Sequence, residues 1–203
     1  MSSARRGAAS SRESALFDIA APSPPDVDRS VVAAAALVVP NAVVLPKTEL
    51  VGFRGYPLIR WSDAVHERLA GEAGPMLDRS TLSLWEFCPA GGAGAPPASA
   101  LSITGFVTSA RWGRALRAAS ELRGFGDTVV LTGRRPTPLS LTAADVAGVS
   151  VVQTTDSGET LLVRGYRCEN PPRTVAVRYW EERLFADALA AGVLTPSSAH
   201  LHV

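Results

Sequence analysis

The sequence predicts a single domain of the α/β (or α+β) class built on a mixed, mostly central sheet, and three observations support this prediction. Residues 101–133 read as strand, helix and strand, the β-α-β unit that joins two parallel strands. Residues 149–165 read as an antiparallel hairpin, because two short apolar strands flank a turn sequence. Residues 179–191 have the apolar spacing of an amphipathic C-terminal helix.

The first part of the domain is predicted to be mostly extended. Short β segments are expected around the turn Pro40-Asn41 and further along, at Val31–Val39, Ala42–Leu45, Leu50–Phe53 and Leu58–Trp61. Ser62-Asp63 is predicted to cap a helix that ends near Ala73. Alternation of apolar and polar residues predicts a strand over Thr81–Phe87, and the glycines and prolines of residues 89–98 predict a loop.

The central unit has the clearest pattern. Leu101–Val107 is predicted as a strand and Thr128–Thr132 as the parallel strand that follows the crossover. Between them, apolar residues recur at helical spacing on one side and arginines lie on the other: Trp112, Ala115, Leu116, Ala119 and Leu122 inward, and Arg111, Arg114 and Arg117 outward. Gly124 and Gly126 are predicted to end this helix.

The last third contains the predicted hairpin and the C-terminal helix. Residues 142–145 resemble a capping box that opens one short helical turn. Val149–Gln153 and Thr160–Val163 are the predicted hairpin strands, joined through the turn Asp156-Ser157-Gly158. Thr174–Arg178 is predicted as a final strand before the C-terminal helix.

Composition limits the domain organisation and the classes of function. The chain has 203 residues, of which 46% are hydrophobic and 19% charged, enough for one domain with a sizeable core. The formal net charge of +1 gives no indication of binding to nucleic acid or to a membrane surface. Lys47 is the only lysine, and this preference for arginine is typical of a GC-rich genome, so we expect a bacterial protein.

The ends of the chain differ from its middle. Residues 1–29 are rich in serine, alanine, proline and charge, so they are predicted to form a disordered N-terminal arm. Residues 30–195 are predicted to form the domain and residues 196–203 a flexible C-terminal tail. The apolar run Val31–Val39 is far too short to span a membrane and no export signal is recognised, so a cytoplasmic location is expected.

The turn after the first central strand is the strongest candidate for a binding site. If Leu101–Val107 is a central strand, the N–H groups that open the next helix lie at its carboxyl end, where open α/β sheets bind ligands. Hydroxyl groups and arginines are expected at the same edge, so a small anion could be held by Thr108, Ser109, Arg111, Arg134 and Arg135. The alternative is an ordinary helix cap with solvated arginines, because the glycine fingerprint of dinucleotide-binding folds is absent.

Two other motifs have simpler structural explanations. The glycines of residues 91–94 run into prolines instead of a lysine and a helix, which indicates a linker and not a phosphate-binding loop. Asp156 and Glu159 could in principle bind a metal ion, but a hairpin turn explains both of them.

Catalytic groups are scarce. Cys88 could pair with His66 only if folding brought them together, and His200 and His202 lie in the predicted tail. Cys88 and Cys168 are expected to be reduced, buried thiols. We therefore expect no catalytic residue, no bound metal and no cofactor, and whether the protein is an enzyme is left open with a preference against it.

The predicted arm contains one short apolar segment, Leu16-Phe17, between polar residues. An apolar pair in a disordered arm is typical of a linear motif that binds a pocket on another protein. The segment from Glu13 to Asp18 resembles the clamp-binding peptides of bacterial DNA replication and repair proteins, which commonly carry a glutamine where Glu13 stands. The alternative is that Leu16 and Phe17 pack back on their own domain.

Three classes of function follow from these observations. The first is a non-catalytic interaction, adaptor or assembly protein, and the scarcity of catalytic groups favours it. The second is an enzyme or sensor that binds a phosphorylated or nucleotide-like anion at Thr108-Ser109. The third is a DNA replication or repair accessory protein recruited through Leu16-Phe17. Another protein is thus the expected partner, a small anion a possible one, and neither a membrane nor nucleic acid is expected as a direct ligand.

Overall fold

The computed structural model describes residues 27–70, 73–88, 95–166 and 174–194. These residues form a mixed sheet of seven strands, curled into a half-barrel, and six α-helices, which confirms the predicted α+β single domain. The elements in chain order are α1 (Arg29–Val38), β1 (Val43–Val44), β2 (Thr48–Leu50), β3 (Phe53–Trp61), α2 (Val65–Leu69), α3 (Arg79–Trp85), β4 (Leu101–Thr108), α4 (Trp112–Leu122), β5 (Asp127–Thr132), α5 (Pro138–Val146), β6 (Ser150–Thr155), β7 (Gly158–Val163) and α6 (Val175–Ala190).

The sheet has the order β1-β3-β4-β5-β6-β7, with β2 also paired to β3. The central pairs β4–β5 and β5–β6 are parallel, whereas β3–β4 and β6–β7 are antiparallel. The predicted β-α-β unit over residues 101–133 and the predicted hairpin over residues 149–165 are therefore both confirmed. The carboxyl ends of β4, β5 and β6 lie at one edge of the sheet, because parallel strands share a direction.

Gly126 lies where the crossover through α4 ends and β5 is about to begin. Gly126 has a φ of 140°, and a Cβ atom at this position would collide with the backbone of Thr104. Only glycine adopts this conformation without strain, and only glycine leaves room for the approach to β4. Gly126 thus fixes where β5 begins beside β4.

Helices cover both faces of the sheet. On one face, α1 buries Val31, Ala34, Ala35 and Val38 against side chains of β3, β4 and β5, including Leu58, Val107 and Val129. On the other face lie α4, α5 and α6; α4 shares one part of the core with α6 and another part with α5. α6 packs against β4, α4 against β5, and α5 against β6 and β7, so α4 lies between α5 and α6.

Three predicted strands are wrong. Val31–Val39 forms α1, whose run of alanines favours a helix and whose first turn is capped by Asp28. Thr81–Phe87 forms most of α3, where the Asp78 carboxylate accepts hydrogen bonds from the N–H groups of Ser80 and Thr81. Thr174–Arg178 forms the first turn of α6, capped by the Thr174 hydroxyl.

Two predicted helices have different bounds in the structure. The helix expected from Ser62-Asp63 to Ala73 is the short α2, Val65–Leu69, without a side-chain cap. The single turn expected over residues 142–145 lies inside α5, which begins at Pro138. Thr137 caps α5, and proline is favoured in the first turn because the N–H group that it lacks has no helical partner there.

A buried ionic network joins α2, α6 and two loop segments. Glu182 is 1% exposed, and its carboxylate accepts two hydrogen bonds from Arg68, at 2.8 and 3.1 Å, and a further one from the N–H of Met76. Arg178, one turn earlier in α6, lies 2.8 Å from Glu182 and donates to the carbonyl of Pro97. Arg68 also donates to three backbone carbonyls, those of Ala73, Gly74 and Ala98. The network therefore anchors segments that have little regular structure of their own.

Candidate binding surfaces

Two of the five residues predicted to hold an anion line a pocket of about 390 Å³ at the carboxyl ends of β4 and β5. Ser109 and Arg111 both line it, beside Thr132 and Gly133 at the end of β5. α4 begins at this pocket without a side-chain cap, unlike α1, α3, α5 and α6. The first N–H groups of α4 could thus donate hydrogen bonds to a ligand in place of a cap.

The remaining predicted residues do not line this pocket. Thr108 is 1% exposed, and its hydroxyl accepts a hydrogen bond from the N–H of Ala110, so it shapes the turn. Arg134 and Arg135 are exposed and follow β5, and the backbone of Arg134 is held by the Thr132 hydroxyl. The structure therefore brings Ser109 and Arg111 together and leaves Arg134 and Arg135 outside.

A carboxylate that the sequence did not indicate lies in the wall of the same pocket. Asp28 and Ser30, at the start of α1, are among the lining residues. The Asp28 carboxylate accepts hydrogen bonds from the backbone N–H and the hydroxyl of Ser30, each 2.9 Å long, and these bonds lower the pKa of Asp28. The pocket thus contains a negative charge at neutral pH, which disfavours an anion.

An unusual apolar surface lies on α5. Its outer side carries Leu139, Ala143 and Val146, of which Leu139 is 80% and Val146 76% exposed. Tyr166, 73% exposed, adjoins them and lines a cavity of about 280 Å³ together with Val146. We call these four residues the α5 face. Because the inner side of α5 is also apolar, with Ala144 fully buried, the helix is apolar on both sides.

A second apolar surface lies on and around α3. Leu77, Leu84 and Phe87 are 44%, 68% and 85% exposed, and we call these residues the α3 face. A smaller cavity of about 160 Å³ lies between α3 and α6, where Trp85 and Val175 are among the lining residues. α3 packs on α6, so the α3 face and the α5 face lie at opposite ends of the helical layer.

The sequence interpretation missed both faces. The sequence predicts a strand over Thr81–Phe87 and a single helical turn over residues 142–145, where the structure has α3 and α5. The available signal was that apolar residues of α5 occur on both sides of the helix, which is typical of a helix buried on both sides. On the surface of a single chain, that pattern leaves apolar side chains in contact with water.

The other sequence candidates are separated from these surfaces. Cys88 follows α3, with its Sγ atom 3.5 Å from the carbonyl oxygen of Leu84, and His66 lies on the exposed side of α2. Asp156 occupies the exposed hairpin turn and Glu159 lies in β7. Within the described part of the chain, no three histidine, cysteine or acidic side chains form a cluster that could bind a metal ion.

Several candidates lie outside the described residues. They are Leu16 and Phe17 of the N-terminal segment, the glycines of residues 91–94, Cys168, and the C-terminal histidines His200 and His202. In the segments that the structure does describe, no helix has the length and apolar character that crossing a membrane requires. Comparison of this chain with protein-family models, with curated proteins and with solved structures gave no match.

Proposed function

We propose that this protein is a non-catalytic interaction or assembly protein that binds other polypeptides through the α5 face and the α3 face. The observation that carries the proposal is the exposure of Leu139 and Val146, at 80% and 76%, on a helix that already buries its opposite side. Single exposed apolar residues are ordinary, but residues spaced by seven along one helix form a continuous stripe.

The exposed apolar side chains of the two faces can supply free energy of binding when a partner covers them. Covering one large aliphatic or aromatic side chain contributes about 1.5–3 kcal/mol. Leu139, Val146 and Tyr166 together could therefore supply the central contacts of an interface, and Leu84 and Phe87 could do the same on α3.

The position of the two faces supports an adaptor role. They lie at opposite ends of the helical layer with α4 between them, so two partners could bind at the same time. Leu139, Ala143 and Val146 of the α5 face lie on a helix that packs against the core, and a surface held in this way loses little entropy when it binds.

Affinity capture from a lysate of the source cells tests this proposal. We expect one set of proteins to be lost when Leu139→Ser is combined with Val146→Ser, and another when Leu84→Ser is combined with Phe87→Ser. Leu37→Ser is the matched control, because Leu37 is an apolar helix residue that is 39% exposed on α1. Identical capture by all variants, with wild-type melting temperatures, would contradict the proposal.

A second candidate function, binding of a small phosphorylated or nucleotide-like anion, is favoured by the uncapped start of α4 beside Ser109 and Arg111. A thermal-shift titration with inorganic phosphate and with nucleoside phosphates tests it, because a ligand that binds the folded state raises the melting temperature. The shift should disappear in Arg111→Ala and persist in the control Arg183→Ala. An absence of any shift at millimolar ligand would refute this candidate.

Recruitment to DNA replication or repair through Leu16-Phe17 rests on the sequence resemblance alone. Both residues lie outside the described part of the chain, and the structure supplies no observation in its favour.

A further inference from the structure

We propose that residues 13–19 of this chain, Glu13-Ser-Ala-Leu-Phe-Asp-Ile19, bind the α5 face of the same molecule. The inference rests on one part of the proposed function, namely that the α5 face is a docking surface. It adds the identity of one occupant, which a partner protein would then have to displace.

The N-terminal segment joins the domain near the end of β5. Asp28 lines the same pocket as Thr132 and Gly133, at the end of β5. α5 begins at Pro138, only a few residues after Gly133. The N-terminal segment therefore leaves the domain at the edge of the sheet where the loop that leads to α5 begins.

The connection between the proposed docking segment and the domain is long enough for such a contact. Seven residues, 20–26, separate the proposed docking segment from Val27, and three of them are prolines. At about 3.1 Å per residue, a proline-rich connection of this length spans about 22 Å. α5 has nine residues, or about 14 Å at 1.5 Å per residue, so the connection exceeds the length of the helix whose face the segment would have to cover.

The side chains of residues 13–19 complement those of the α5 face. The segment presents three large apolar side chains, of which Leu16 and Phe17 lie between the carboxylates of Glu13 and Asp18, and Ile19 follows Asp18. This pattern matches an apolar stripe with a basic rim.

Arginines flank both ends of the α5 face. Arg134 and Arg135 precede the first turn of α5 and are exposed. At the other end, Arg123 donates a hydrogen bond of 2.8 Å to the carbonyl of Ala147 and lines the cavity that Tyr166 and Val146 share. Asp145 is the acidic side chain of α5 itself, so positive charge predominates around the face.

The α3 face is a poorer match for the same segment. It lies at the far end of the helical layer, beyond α4 and α6. Acidic Asp78 and Glu86 border it and would repel Glu13 and Asp18, whereas Arg79 is the basic side chain of α3 itself. The α3 face is therefore a suitable negative control.

Disulfide trapping in the full chain tests the inference. In a background with Cys88→Ser and Cys168→Ser, Ala15→Cys is combined with Ala143→Cys on the α5 face. The matched control combines Ala15→Cys with Ser83→Cys, another small, exposed helix residue, on α3. All of these substitutions leave Leu16, Phe17 and the large apolar residues of both faces intact.

We expect an intramolecular disulfide that forms at least fivefold faster with Ala143→Cys than with Ser83→Cys. Adding Leu16→Ser and Phe17→Ser should reduce the faster rate to the control level, and Glu13→Lys with Asp18→Lys should reduce it in part. Non-reducing gels and intact mass distinguish the monomeric product from a covalent dimer.

Equal rates at the two positions, or a rate that is insensitive to Leu16→Ser and Phe17→Ser, would overturn the inference. A covalent dimer as the main product would overturn it in favour of a second copy of the chain as the occupant. Partner capture that still depends on Leu139 and Val146, in the absence of trapping, would leave the proposed function standing and remove only this inference.

Discussion

Glu182 offers the most direct test of how the fold is held together. Its carboxylate, 1% exposed, is shared by Arg68 and Arg178, and it also accepts the N–H of Met76. Glu182→Ala would leave two guanidinium groups without their carboxylate inside the protein. Burial already lowers the pKa of Arg178, and attraction to Glu182 offsets part of that effect.

The expected loss of stability can be worked from this geometry. Removing one partner of a buried ion pair costs about 3–5 kcal/mol, because the other charge stays buried and unpaired. In a domain of this size, each 1 kcal/mol lowers the melting temperature by about 2–4 °C. Glu182→Ala should therefore melt about 6–20 °C below the wild type. Because the total stability of a folded domain is about 5–15 kcal/mol, a loss of about 3–5 kcal/mol is a large fraction of it.

Thermal and urea denaturation followed by circular dichroism measures the effect. The matched control is Asp187→Ala, which removes an ion pair in the same helix, with Arg183, at 3.5 Å and about half exposed. Such a surface pair contributes about 0–1 kcal/mol. Equal melting temperatures for the Glu182→Ala and Asp187→Ala variants would refute the assignment of a stabilising role to the buried network.

Three further predictions follow from particular contacts. Gly126→Ala should destabilise the protein by more than about 1 kcal/mol in urea denaturation, because the positive φ is strained for alanine and its Cβ would collide with Thr104; an unchanged midpoint would contradict this. Asp28→Ala should lower stability at pH 7, and the loss should shrink as the pH falls below 3.8. The lowered pKa of Asp28 gives stability that is present above the unfolded value and lost as the pH falls through the folded one; pH-dependent unfolding measures the difference, and a pH-independent difference would refute this prediction. Leu139→Ser with Val146→Ser should leave the melting temperature within a few degrees of the wild type, whereas a large loss would show that the two side chains stabilise the isolated fold.

The β-α-β unit could be predicted from sequence because its local signals agree. The strand pattern before Thr108, the helical spacing from Trp112 to Leu122, and the glycine at residue 126 all favour the same crossover. The parallel pairing then places Ser109 and the end of β5 at one edge, as expected from topology alone. Asp28 could not be placed there from sequence, since only the tertiary packing of α1 brings it to that edge.

The wrong strands have physical reasons as well. The apolar run Val31–Val39 has no periodicity that separates a buried helix from a buried strand, and its alanine content was the deciding signal. Over Thr81–Phe87, a short alternating pattern matched a strand by coincidence, while Asp78 three residues before Thr81 was the local helix signal. For Thr81–Phe87 the capping residue therefore carried more information than the apolar pattern.

The buried network also bears on the proposed function. α3 makes its main packing contact with α6, and Arg178 of α6 lies 5.5 Å from the ring of Trp85 in α3. The α3 face is therefore held in place through the same arginine that Glu182 neutralises. The α5 face depends on a different part of the core, where Ala144 packs against β6. Weakening the network around Glu182 should consequently destabilise the packing of the α3 face before that of the α5 face. The contributions of the two faces can then be distinguished without a substitution in either face.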